Sequence, residues 1–362
     1  MEVFILKQER INKILVKMGD QKIPQMIITD PSSIFYLTGK WFEPGERILA
    51  LYLNINGKHK MFINELFPCE EDLGVDIVWL KDTDDGIAII SEYTEKDKVL
   101  GIDKNWPAGF LLRLMELKGA KEYVNSSPII DRARMIKDDE EKELMRISSR
   151  INDMAIEKLI SYAKEGITEL EMCEKLSEIY KELGADGYSF EPIVAFSANA
   201  SDPHHDCDNT PLKVGDSIVI DIGCKKDSYC SDMTRTVFFK KASPKGREVF
   251  EIVLGANKAG IAAVKPGARF CDIDKAARDY IEQAGYGKYF THRTGHSIGI
   301  EDHDFGDVSS VNTDLLEPGM IFSVEPGIYL PGDVGVRIED LVLVTEDGCE
   351  VLNSVNKEFT II

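Results

Sequence analysis

Two stretches in the second half of the chain share an unusual arrangement, in which a carboxylate is set inside an apolar, strand-like run. Leu212-Lys-Val-Gly215 precedes Ile218-Val-Ile-Asp-Ile-Gly223, and Leu316-Glu-Pro-Gly319 precedes Ile321-Phe-Ser-Val-Glu-Pro-Gly327. In each copy the acid, Asp221 or Glu325, stands six residues after the first glycine and two before the next. A turn and a second run with its own acid follow: Asp232 in Ser231-Asp-Met-Thr-Arg-Thr-Val237, and Glu339 in Val336-Arg-Ile-Glu-Asp-Leu-Val342. Alternate residues of a strand share a face, so Val219 points with Asp221 and Arg337 with Glu339. A buried ionised carboxylate is costly unless it is paired or holds a metal. Two related hairpins that deliver four such acids therefore call for cations.

Ligand chemistry narrows the choice of ion. Five of the six histidines fall between His204 and His303, and carboxylate oxygens with an imidazole suit Mn²⁺, Co²⁺, Fe²⁺ or Zn²⁺. Shared carboxylates hold two such ions roughly 3.5–4 Å apart with a hydroxide between them, which makes that water the expected nucleophile. The lone His59 is assigned no role.

The rest of the chain sets the frame. At 362 residues and 43% hydrophobic, it is long enough for two domains. With 63 acidic against 43 basic side chains, the formal charge of -20 opposes attraction to nucleic acid or anionic membrane and leaves small peptides as easier partners. Met1 opens an amphipathic segment with no signal-peptide core, and no run is long enough to span a bilayer, so the expected address is cytoplasmic. Seven cysteines (Cys69, Cys173, Cys207, Cys224, Cys230, Cys271, Cys349) are scattered without paired C-x-x-C spacing and are read as reduced thiols, with Cys207, Cys224 and Cys230, near the proposed site in sequence, as its neighbours and not its ligands.

The fold class is α/β (α+β). Runs at Met26 to Thr29, Ile48 to Leu53, Met61 to Ile63, Ile77 to Leu80 and Val99 to Ile102 alternate with helical patterns, which predicts a small amino-terminal α/β domain over 1–131. Asn56-Gly57 marks a hairpin. Pro107 opens a helix that Gly119 stops. Ser126-Ser-Pro128 begins a polar passage to a long helix over about 138–164 that Gly166 ends, and Thr168 with Glu171 fits a capping box for another. The second domain is 132–362, and from Pro192 onward strands and turns are expected.

These motifs carry a resemblance. Asp221-Ile-Gly with Ser231-Asp-Met-Thr-Arg-Thr, Thr291-His-Arg-Thr-Gly-His-Ser-Ile-Gly299, Ser323-Val-Glu-Pro-Gly327 and Gly335-Val-Arg-Ile-Glu-Asp340 resemble the pita-bread metallopeptidases, the family of prolidase, aminopeptidase P, methionine aminopeptidase and creatinase. Ile28-Thr-Asp-Pro-Ser-Ser-Ile-Phe-Tyr-Leu-Thr-Gly39 is similar to the amino-terminal domain of prolidase, aminopeptidase P and creatinase. That domain argues against methionine aminopeptidase, and the complete ligand set argues against creatinase. The resemblance implies a pita-bread catalytic domain with a pseudo-twofold repeat and a homodimer. It implies two divalent ions, manganese first with cobalt or zinc as alternatives. Asp232 and Glu339 would bridge them, Asp221 would complete one, and His296 and Glu325 the other. Glu325 would be the general base. His303 and His204 would act catalytically on the substrate, and His292 and Arg337 would bind it. Ser297 after His296, Asp302 before His303, and His205 with Asp206 after His204 depart from the family pattern and put substrate preference in question.

The implied activity is hydrolysis of Xaa-Pro dipeptides, as by bacterial prolidases, with the Xaa-Pro aminopeptidase reading on longer peptides as its alternative. Two other classes are weighed and set lower. Gly295-His-Ser-Ile-Gly299 matches the G-x-S-x-G elbow, with Ser297 as the nucleophile of a serine hydrolase, but no histidine lies far downstream. A non-catalytic binding protein of the same fold would be expected to lack ligands.

Overall fold

The computed structural model describes residues 7–67 and 69–362. Of the amphipathic segment opening at Met1, residues 1–6 lie outside this range; the remainder is helix α1 (Gln8–Asp20), which buries Ile11, Ile14 and Met18. Contacts divide the chain into two compact units between Arg134 and Met135. No helix of the described residues is long and apolar enough to cross a membrane.

The first unit is built on one six-stranded sheet. Strands β1 (Gln25–Ile28), β2 (Ala50–Asn54), β3 (Lys60–Asn64), β4 (Asp76–Leu80), β5 (Val99–Ile102) and β6 (Glu122–Asn125) lie in the order β4-β3-β2-β1-β5-β6. Helices α2 (Pro31–Thr38), α3 (Gly86–Tyr93) and α4 (Ala108–Glu116) connect them. The antiparallel β2–β3 pair turns at Gly57, whose φ of 79° is the left-handed conformation glycine adopts without strain. Ile27, Tyr52, Phe62, Ile90, Leu100 and Leu114 form one core. The passage after Ser126 holds a helix, α5 (Ser127–Met135). Its charged residues Asp131, Arg132 and Arg134 concealed the apolar set Ile129, Ile130 and Met135, all buried.

The second unit has two similar halves, as the repeated runs predict. In the first, helices α6 (Asp139–Tyr162) and α7 (Glu169–Leu183) cover a sheet of β8 (Ile193–Phe196), β9 (Ser217–Ile222) and β12 (Met233–Phe238), in the order β12-β9-β8. Capping boxes start both helices, Asp138 with Glu141 and Thr168 with Glu171. Short strands β7 (Gly187–Tyr188), β10 (Cys224–Lys226) and β11 (Tyr229–Cys230) form a side sheet. In the second half, α8 (Pro244–Ala263) and α9 (Phe270–Gln283) pack on β15 (Ile321–Val324), β18 (Asp340–Val344) and the pair β16 (Gly327–Leu330) and β17 (Val334–Arg337). Strands β13 (Gly295–His296), β14 (Asp307–Val308) and β19 (Cys349–Val351) complete it. The two helices after Pro192 correct the expectation of strands and turns alone.

Each half uses a buried asparagine to fasten helix to sheet. Asn152 of α6 donates to the Ile222 carbonyl at 2.7 Å, and Asn257 of α8 donates to the Val324 carbonyl at 2.9 Å. The first carbonyl belongs to the residue after Asp221 and the second to the residue before Glu325. The helices thus anchor the backbone beside two of the four acids.

Candidate active site

Both halves of the second unit feed one pocket of about 910 Å³, whose lining includes Asp221, Asp232, His292, His296, His303, Glu325, Arg337, Glu339 and the 203–207 segment. All nine candidate site residues named from the sequence, His204 included, meet there. Of the four acids, only Asp221 sits within a strand. Asp232 lies between β11 and β12, Glu325 between β15 and β16, and Glu339 between β17 and β18. The run 336–342, read as one strand, is therefore two: β17 pairs with β16, whereas β18 pairs with β15. Glu339 occupies the junction where the chain changes partner, and it is 1% exposed.

A hydroxyl that the sequence reading passed over joins the acids. Thr234 stands opposite Asp221 in the β9–β12 register. Its Oγ1 donates to Glu339 Oε2 at 2.8 Å and accepts from Arg337 Nε at 3.1 Å. Arg337 Nη2 donates to Asp221 Oδ2 at 2.5 Å, and Nη1 donates to the Tyr329 hydroxyl at 3.0 Å and the Pro203 carbonyl at 3.4 Å. All three guanidinium nitrogens are thus engaged, and the contact Arg337 makes with the acids is to Asp221.

His296 enters on the short strand β13. A Cβ at Gly295 would lie 1.9 Å from the Ser323 carbonyl oxygen, so only glycine lets β13 approach β15 this closely. The Ser323 hydroxyl accepts from His296 N–H at 3.0 Å. His296 Nδ1 lies 3.3 Å from the Ser297 carbonyl, so Nδ1 carries the proton and Nε2 keeps its lone pair. Nε2 stands 3.4 Å from Asp232 and 3.6 Å from Glu325.

Three carboxylate oxygens here, Asp221 Oδ1, Asp232 Oδ1 and Glu339 Oε1, are buried without a hydrogen-bond partner. Such atoms are rare because each costs the full desolvation of its group. Ligand atoms of Asp232, His296 and Glu339 all lie within 4.8 Å of one another. Burial first, and then Asp221 and Glu325, push Asp232 well above the ordinary carboxyl range. Burial, Asp232 and Glu325 do the same to Glu339. Glu325 is also pushed up by burial, but His296, His292 and Arg337 outweigh this and hold it below the ordinary range. Oxygen donors with one imidazole, unpartnered and mutually repelling, fit divalent cations.

The other histidines differ in availability. Burial pushes His292 down from its usual value, which makes it neutral. Its Nδ1 donates to the Arg293 carbonyl at 2.7 Å, so Nε2 accepts from the Tyr329 hydroxyl at 2.8 Å. Both ring nitrogens are occupied, and His292 supports Tyr329 and through it Arg337. Burial, with His296 and Arg293 nearby, pushes His303 down to about 4. Arg293 Nη2 donates to His303 Nδ1 at 3.0 Å, which leaves Nε2–H free toward the pocket. His204 is exposed to the pocket. His205 instead meets Glu169 at 2.7 Å. With Asp208 these two form a second group of metal-capable side chains, but Glu169 already accepts from the Phe196 and Asp208 backbone N–H groups and from Asn199.

The serine-hydrolase reading fails on geometry. An elbow serine sits between a strand and a helix, whereas the segment after Ser297 runs without a helix to β14. Ser297 is also buried, at 2% exposure. Besides Thr234, the sequence reading missed Tyr329 and Arg293. The signal for Thr234 was its parity with Asp232, two residues earlier. The signal for Tyr329 was cross-strand pairing with Gly335, which required the register.

Known proteins resemble this chain in sequence and fold. The sequence model of metallopeptidase family M24 matches residues 143–346, and that of the creatinase/prolidase N-terminal domain matches residues 10–136. An uncharacterized peptidase of Staphylococcus aureus is 36% identical over 96% of this chain and 99% of its own. The prolidase from Thermococcus sibiricus superposes with a TM-score of 0.93 at 32% identity, covering 100% of both chains. The X-Pro aminopeptidase from Thermotoga maritima superposes at 0.86 with 26% identity, covering 97% of this chain and 99% of that one.

Proposed function

The chain belongs to metallopeptidase family M24, and from that premise we propose that it hydrolyses the Xaa-Pro bond of dipeptides in the pocket around Asp221, Asp232, His296, Glu325 and Glu339. The observation that carries the reading is the set of three buried carboxylate oxygens with no hydrogen-bond donor, on acids that line one pocket with His296. Asp232 and Glu339 would bridge two divalent ions, manganese first with cobalt or zinc as alternatives. Asp221 would complete one, and His296 and Glu325 the other. When bound, such ions supply Lewis-acid charge that makes a water nucleophilic near neutral pH and polarises the scissile carbonyl.

The chain's own residues do the rest. Glu325, held below the ordinary carboxyl range, accepts the proton of the attacking water. The Ser323 hydroxyl steadies its Oε1 at 3.3 Å. His303, neutral near pH 7 with Nδ1 occupied by Arg293, offers Nε2–H to the oxygen that gains charge as the carbonyl is attacked. His204 faces the peptide from the 203–207 segment. Arg337 and Thr234 orient Asp221 and Glu339, while Tyr329 and His292 hold Arg337 in place.

The dipeptidase reading is preferred to the aminopeptidase reading because identity is greater with the prolidase than with the aminopeptidase. The test offers the metal-loaded protein Leu-Pro and Leu-Pro-Pro side by side. Cleavage of Leu-Pro is the expected outcome. Cleavage of the tripeptide alone moves the assignment to an Xaa-Pro aminopeptidase, and cleavage of neither sinks both.

A further inference from the structure

Two cysteines 34 residues apart in sequence, Cys173 on α7 and Cys207 on the segment leading to β9, bring their sulfurs to 2.6 Å. Non-bonded sulfurs do not rest so close, and a disulfide bond needs only about 2.05 Å. Both residues are half-buried and line the pocket, so small reagents reach them. Neither belongs to the two groups of metal-capable side chains among the described residues, which favours a bond between the sulfurs over a shared soft metal. We propose that Cys173 and Cys207 form a reversible disulfide that fastens the segment carrying His204 to helix α7.

The local chemistry assigns the roles. Cys207 Sγ accepts from the Val194 backbone N–H at 3.2 Å and lies against the Cys173 thiol. The Cys173 thiol first, and then the Val194 N–H, lower the Cys207 thiol from its usual value, whereas Cys207 and burial raise Cys173. Cys207 therefore attacks, as thiolate, one sulfur of a low-molecular-weight disulfide and releases the first small thiol. The Cys173 sulfur, on losing its proton, displaces the second small thiol from the mixed disulfide. The protein dithiol gives up two electrons, the reagent's disulfide takes them, and both protons leave with the reagent's thiols. His204 lies three residues before Cys207, so the new bond restrains the backbone that presents it.

The test uses the full-length, metal-loaded protein treated with oxidised glutathione and, separately, with dithiothreitol. Peptide mapping of the oxidised sample is expected to give one linked pair, Cys173 with Cys207, lighter by two hydrogens and split again by dithiothreitol. Amide exchange across 199–208 is expected to slow by about tenfold on oxidation, and this slowing is expected to vanish in Cys207→Ser. Two free thiols after oxidation, linkage to other cysteines, or unchanged exchange in the linked protein would each overturn the proposal. Neither readout depends on peptide hydrolysis, so failure here is distinguishable from failure of the dipeptidase reading.

Discussion

At the scale of single residues, the site is organised around charge that the protein does not neutralise by itself. Asp232 and Glu339 are buried at 4% and 1% exposure, and each keeps one oxygen without a donor. Removing either acid removes a ligand that both ions would share. Asp232→Ala and Glu339→Ala are expected to abolish hydrolysis and to lower bound metal, measured by plasma emission after dialysis. Full activity in either variant refutes the bridging assignment. Thr234 gives a gentler probe, because its hydroxyl touches Glu339 and Arg337 and the residue is not part of the pocket lining. Thr234→Val is expected to lower metal affinity or activity by roughly 10- to 100-fold with little change in KM. Wild-type metal affinity and kcat in this variant would remove the hydroxyl from the site's support.

At the scale of elements, breaks in strands matter more than the strands. Asp232 and Glu339 each stand one residue before a strand, β12 and β18, at points where the chain leaves one sheet for another. Gly295 is the tightest of these devices. Gly295→Ala puts a methyl group against the Ser323 carbonyl, and loss of activity with a drop in thermal stability is the expected result, read by calorimetry. The asparagine fasteners are also testable. Asn257→Ala removes a donor from the Val324 and Ile338 carbonyls and an acceptor from Lys357 and is expected to cost about 1–3 kcal/mol in urea unfolding. A midpoint equal to wild type would show that the bond carries no weight. The elements themselves were unequally legible. Helix α7 announced itself through its capping box and α6 through its acidic start, but α8 carries Gly246, Gly255 and Gly260, and glycine weakens a helical pattern. A Cβ at Gly255 would lie 2.3 Å from the Tyr280 ring and one at Gly260 2.9 Å from Val324. Those glycines let α9 and β15 approach α8, a reason that exists only once the partners are in place.

At the scale of the whole catalytic unit, one buried ion cluster ties distant parts of the chain. Asp340 accepts from Arg235 of β12 at 2.7 Å and from Lys357 near the end of the chain at 2.5 Å. Burial pushes Asp340 up, but Arg235 and Lys357 outweigh it and hold the carboxyl below its usual range. A depressed folded-state value means that the stabilisation is complete above the unfolded value of about 3.9 and is lost as pH falls through the folded one. Asp340→Asn is expected to cost about 3–5 kcal/mol at pH 7, since it leaves Arg235 buried and unpaired. Urea unfolding of both proteins at pH 7 and pH 3 checks this, with the gap expected to narrow in acid. A gap that stays constant would sink the linkage.

The sequence by itself determined the two carboxylate-bearing repeats, the five metal-seeking side chains and the α/β class, because burying charge in apolar runs leaves a mark that needs no neighbours to be read. The tertiary structure alone decided that the run through Glu339 is two strands, that Arg337 turns to Asp221, that Thr234 and Tyr329 join the site, and that Cys173 meets Cys207. These facts depend on register and on which sheets exchange strands, and such contacts between residues far apart in the chain leave no local pattern.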